Sequence, residues 1–167
     1  MNKSDISMLI RFNFWANDRI LAVCERISAG EFIREHTPDP GWGSLRSILV
    51  HTLDTEFGWR SVLQAQDGDD ILQTDNFADV AALKDCWYIE RAAWFDYVAG
   101  LSDDSINLRH GGSPLSGPKV WQTIIHVVTH GIQHRSEAAA ILTGYGQSPG
   151  ELDFDRFLQE NPDLSSN

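Results

Sequence analysis

The sequence is short of cysteine, of basic residues and of long apolar runs, and each shortage excludes something. Only two cysteines occur in 167 residues, Cys24 and Cys86. Neither stands in a C-x-x-C spacing, so a four-thiolate zinc site is excluded, and the pair reads as reduced core residues, with a disulfide or a reactive thiol as the alternative. Lysine and arginine together number 13 against 24 acidic residues, a formal charge of -11. Such a surface repels phosphate backbones, and no Lys/Arg cluster offsets it, so no nucleic-acid partner is expected. No stretch approaches the roughly 20 apolar residues of a membrane span, and no apolar run flanked by basic residues precedes a cleavage site. The expectation is a cytoplasmic protein with no membrane partner. Proline is also scarce, at six, and is gathered where helices would be interrupted.

What is present is aromatic and helical. Six tryptophans and eight phenylalanines supply large apolar faces, and 42% of the residues are hydrophobic. At this length one domain, residues 1–167, buries about 70% of its unfolded surface. Four long helical patterns are predicted. The first covers residues 4–27 with Ser4 as its cap, and Ile6, Leu9, Ile10, Phe14, Ile20, Leu21 and Ile27 approximate one stripe. Residues 31–43, with Pro38 and Pro40, read as a loop. The second helix runs over 44–66, stopped by the acidic and glycine-containing residues 67–70, and carries Leu45, Ile48, Leu49, Leu53, Trp59 and Leu63 on its apolar side. The third covers 79–101 around Val80, Leu83, Trp87, Trp94 and Val98. The fourth begins at Pro118 and ends at Gly144. A short helix is expected within 151–158. Helices of this length joined by modest loops imply an all-α bundle.

The chemistry sits in histidines. His126, His130 and His134 are spaced by four on the fourth helix, which stacks them on one face. Two imidazoles one turn apart can chelate an ion, and His51, the only other histidine inside a long helix, can supply a third ligand. His36 and His110 fall in loops. Three neutral imidazoles suit zinc, nickel or iron(II) and leave positions open for water or substrate. His126 is either hydrogen-bonded to a ligand or simply at the helix edge. Several other site types are excluded. His130 to His134 has zincin spacing without the general-base glutamate, and no Glu-x-x-His occurs for a di-iron site. The zinc-deaminase pairing and a Walker loop are absent too.

Four segments carry a family resemblance. Phe12-Asn13-Phe14-Trp15-Ala16-Asn17 resembles the first-helix signature Y-N-x-W-A-N of the DinB/YfiT-like superfamily. Gly43-Ser44-Leu45-Arg46-Ser47-Ile48-Leu49-Val50-His51 resembles the start of its second helix. His126-Val127-Val128-Thr129-His130-Gly131-Ile132-Gln133-His134-Arg135 is similar to its H-V-x-x-H-x-x-x-H-R helix, and Asp153-Phe154-Asp155 with Phe157-Leu158 to its tail. The resemblance implies a four-helix bundle with a short C-terminal extension, a divalent metal on His51, His130 and His134, and a homodimer. Some relatives are transferases or isomerases that use a low-molecular-weight thiol. A metal-dependent transferase or hydrolase acting on a small molecule is therefore expected, with a non-catalytic metal-binding stress-response module as the alternative. No catalytic residue is assigned.

Where relatives follow H-R with Gly-Gln, this chain has Ser136-Glu137. Glu137 either approaches the ion, accepts from a water upon it, or points into solvent. Asp54, one turn after His51, either orients that imidazole or is solvated. Trp15 reads as core, and Asn17 as a cap or a bridge between helices.

Overall fold

The structure, a computed structural model, describes residues 1–37, 42–66, 72–110 and 117–164. Four long helices form the bundle: α1 (Lys3–Cys24), α3 (Leu45–Leu63), α4 (Val80–Ala99) and α5 (Val120–Gly144). Two short ones accompany them, α2 (Ala29–Ile33) before α3 and α6 (Phe154–Glu160) after α5. Among the described residues there is no strand, only the isolated bridges Glu35–Ser44 and Arg109–Lys119. The all-helical bundle and its C-terminal extension are as expected from the sequence. No helix of the described residues is long and apolar enough to cross a membrane.

The boundaries differ from the sequence reading for local reasons. Asn2, not Ser4, caps α1: its side chain accepts from the Asp5 amide at 2.9 Å while the Asp5 carboxylate accepts from the Asn2 amide at 2.8 Å. That reciprocal box satisfies two otherwise unpaired amides. A second box, Ser28 with Glu31, starts α2 inside the segment read partly as loop. Ser44 caps α3 as its position suggests, but α3 ends at Leu63 because Ala65 turns left-handed at φ 53°. The expected stop at residues 67–70 lies outside the described residues. Lys119 caps α5, so Pro118 precedes the cap instead of opening the helix. At the other end Gly144 is still helical, and Gly146 takes the left-handed conformation at φ 75°. There the Gly146 amide donates to Thr143 O and that of Gln147 to Leu142 O, closing the helix.

The apolar core gathers the faces predicted from periodicity. Ile6, Ile10, Phe14, Ile20, Leu45, Ile48, Leu49, Leu53, Leu83, Trp94 and Ile124 are buried together, while Leu9, Ile27, Trp59, Leu63 and Val80 are only partly covered. Phe12, Ala16, Val128 and Phe157 form a separate cluster that seats α6 on α1 and α5. Trp15 joins its edge, partly exposed, and donates from Nε1 to Glu160 at 3.0 Å. Cys24 is buried as expected, but Cys86 is exposed on α4.

Through the centre of the bundle runs a polar chain that periodicity does not reveal. Arg135 on α5 donates from Nη1 to Asn13 Oδ1 at 2.8 Å and to Asn17 Oδ1 at 2.7 Å, both on α1. The two asparagines donate in turn to Glu56 Oε1 of α3, at 2.6 and 2.9 Å. Trp87 of α4 donates to Glu56 Oε2 at 2.6 Å. Asn17 thus bridges helices and caps nothing. Burial pushes the Glu56 carboxyl up, against the pull of the Asn17, Asn13 and Trp87 donors and the Arg135 charge. One set of hydrogen bonds therefore links all four long helices, with the Arg135 Nη2 left buried without a partner among the described residues.

Candidate metal centre

His130 and His134 lie one turn apart on α5, and His51 faces them from α3, which packs along α5. Nε2 of His130 is 3.1 Å from Nε2 of His51 and 3.1 Å from Nε2 of His134. One ligand atom from each of the three lies within 4.8 Å of the others. Two nitrogens bound at about 2.1 Å to one ion stand roughly 3–3.4 Å apart, so both close pairs have the separation that shared coordination requires. The three residues singled out in the sequence are therefore brought together and could hold a metal ion.

Protons alone do not satisfy this cluster. The Nδ1–H of His134 donates to Glu137 Oε2 at 2.7 Å, which leaves its Nε2 a bare acceptor. One N–H on His130 can point along only one of its two contacts, so at least one pair of ring nitrogens confronts another without a full hydrogen bond. A cation between them removes the conflict. Charging the rings instead is disfavoured: burial, followed by His134, His51, His126 and Arg135, holds His130 down at about 4. His51 is likewise lowered, first by burial and then by His134. Neutral imidazoles are the form that binds metals.

Glu137, weighed from its spacing as near the ion, on a water upon it or in solvent, meets the His134 ring and is only partly exposed. It receives the His134 proton and also accepts from Gln133 Nε2 at 3.4 Å through its other oxygen. A carboxylate on the far nitrogen of a ligating histidine fixes tautomer and ring orientation. Asp54 does not orient His51; it accepts from the Leu72 amide at 2.7 Å and so ties down the chain beyond α3. His126 is exposed, packs its ring edge-on to Trp59 at 5.3 Å, and lies 5.8 Å from the His130 ring. It stays outside the cluster. His36 and His110 are elsewhere: His36 meets the Tyr145 hydroxyl at 3.1 Å, and His110 meets Thr123.

Sequence reasoning missed Trp42. Its ring stacks on His51 with centroids 3.7 Å apart and planes 18° from parallel, and it meets His134 edge-on at 6.3 Å. Nothing in a lone tryptophan before a helix cap signals this contact. Gly131, between the two α5 histidines, has a more readable reason. A Cβ there would lie 2.6 Å from Arg135 Nη1 and 2.7 Å from Asn13 Oδ1. Its absence lets the guanidinium fold back beside α5 and reach α1.

Beside the cluster opens a cavity of about 580 Å³, lined by Arg34, His36, Thr37, Glu137, Ala140, Ile141, Gly144 and Tyr145. Glu137 lines it and also accepts from His134, which joins the two. No curated protein matches the chain. A family model does, over residues 1–164, described as the DinB family. With the match running through all six helices and the histidine cluster, the chain belongs to the DinB family.

Proposed function

We propose that this protein is a metal-dependent enzyme in which His51, His130 and His134 hold one divalent transition-metal ion, zinc, nickel or iron(II). The reaction is on a small molecule, either transfer of a low-molecular-weight thiol to an electrophile or hydrolysis. The observation that carries the reading is the meeting of three ring nitrogens, two pairs of them 3.1 Å apart, around a point that protons cannot satisfy. When bound, such an ion supplies Lewis acidity and brings a coordinated water or thiol towards a pKa of about 7.

The chain's own residues prepare that chemistry. Glu137 keeps the His134 proton on Nδ1, so Nε2 is presented bare. Trp42 covers one face of His51 and so limits the directions in which that ring can turn. The cavity that shares Glu137 gives a small molecule a place beside the ion, and this favours an enzyme over a non-catalytic stress-response module. A single folding unit of residues 1–167, a cytoplasmic location and a homodimer complete the proposal. Exposed Tyr88 and Ile89 on α4 support the dimer.

Metal analysis of protein purified without a histidine tag tests the centre, followed by chelation and thermal melting. Screening small thiols with electrophiles then tests turnover. Alanine at His130 or His134 should abolish both metal binding and turnover. An unchanged rate in a metal-free variant overturns the enzyme reading.

A further inference from the structure

The cavity beside Glu137 has two unlike ends and an apolar middle. Ala140, Ile141 and Gly144 form its floor along α5, and at 1.5 Å per residue Glu137 and Tyr145 stand about 12 Å apart along the axis. At the Tyr145 end the polar tips are mutually consumed. The Tyr145 hydroxyl donates to Glu31 O at 3.2 Å, and so meets His36 Nε2, 3.1 Å away, as an acceptor. Arg34 stands over the Tyr145 ring at 5.6 Å, exposed. Among the described residues its guanidinium meets no carboxylate within ion-pair distance. The carboxylate of Glu31, one turn back, is taken up by the Ser28 amide and hydroxyl, each at 2.8 Å. After those Ser28 hydrogen bonds, the Arg34 charge also helps lower the Glu31 carboxyl, but no carboxylate among the described residues takes up the guanidinium's own N–H donors, which stay open at this end of the cavity.

We propose that the cavity binds an elongated small molecule with an apolar body and a carboxylate head. The head pairs with Arg34 while the opposite end lies beside Glu137 and the histidine cluster. This deepens the metal-enzyme reading, on which the role of the near end rests; recognition of the head by Arg34 does not need the ion. A planar guanidinium takes a carboxylate through two parallel N–H donors, which an amide head cannot match. The body lies on aliphatic side chains, with the Tyr145 ring closing the far end.

Octanoate is a suitable probe, about 10 Å long from carbon–carbon bonds of about 1.5 Å. It is titrated into the full chain with amide NMR shifts as the readout, beside octanamide, for the unaltered protein and for Arg34→Gln, Arg34→Lys and His130→Ala. Octanoate should shift the Ala140, Ile141 and Gly144 amides and bind about fivefold to tenfold more tightly than octanamide, the gain expected of one exposed charge-assisted contact. Arg34→Gln should remove that difference, Arg34→Lys should restore part of it, and His130→Ala should leave it standing. Equal binding of the two probes, no effect of Arg34→Gln, or shifts located elsewhere overturns the assignment. Loss of octanoate binding in His130→Ala alone also overturns it, since the head would then sit at the histidines. Failure of the metal reading shows separately, as unaltered protein that takes up no zinc while octanoate still discriminates at Arg34.

Discussion

Glu137 Oε2 lies 2.7 Å from Nδ1 of His134, one turn away on the same helix, and this contact decides which nitrogen of that imidazole faces His130. Removing the carboxylate frees the ring to turn and to exchange tautomers. Glu137→Ala should weaken metal binding about 10–100-fold, the usual cost of losing such a partner. His130→Ala, which removes the central nitrogen, should abolish stoichiometric binding. Competition against a chromophoric chelator measures both. Equal affinity in Glu137→Ala and the unaltered protein would mean that the contact does not control the ligand.

Acidification should destabilise the metal-free protein. His130 titrates at about 4 in the fold against an ordinary value of 6.5, and His51 is lowered in the same direction. Between those pH values the unfolded chain binds more protons than the folded one, so stability rises with pH across the window. The contribution of the two rings is present in full above about 6.5 and is lost as pH falls through the folded values. Thermal melts of chelated protein from pH 7 to pH 4 should show a falling Tm, and His130→Ala should flatten that slope. A slope unchanged by the substitution would locate the acid sensitivity elsewhere.

The two cysteines should differ sharply towards thiol reagents. Cys24 is buried in α1, and burial pushes its thiol up to about 12, whereas Cys86 is exposed. Thiolate is the reactive form. A chromogenic disulfide reagent should therefore titrate one thiol in native protein and two in denaturant. Two equivalents reacting quickly in the native state would show that α1 opens readily.

The fold and the histidine triad were legible because their signals are periodic. Apolar residues recurring every three or four positions mark the four long helices, and the interval from His130 to His134 is a helical turn. His51 stood out as the remaining histidine within a long helix. The supports of the triad were not legible, because each is a contact between segments distant in the chain. Trp42 precedes α3 and nevertheless stacks on a residue within it, a matter of how the chain enters the helix. Glu56 looks like one more acid on a helix, and only the bundle shows three donors from α1 and α4 converging on it. Glu137 was placed on the correct face by spacing. That its carboxylate would reach the His134 ring depended on a side-chain torsion that spacing does not fix.

The buried chain from Arg135 to Glu56 carries the last prediction. Arg135 is held by Asn13 and Asn17, and burial lowers its guanidinium to about 10, still charged at neutral pH. Glu56→Ala would strand that charge and leave three donors without their acceptor, a loss of about 3–5 kcal/mol by analogy with broken buried pairs. Gly131→Ala is gentler in chemistry but drives a methyl against Arg135 and Asn13, for about 1–3 kcal/mol of overpacking. Because both substitutions act on the same guanidinium, their effects should not add, and a double-mutant cycle by urea unfolding should return a coupling of about 0.5 kcal/mol or more. Strict additivity would mean that the glycine is not there to seat the arginine. Non-additivity would make that seating the reason a residue without a side chain stands between two metal-ligating candidates.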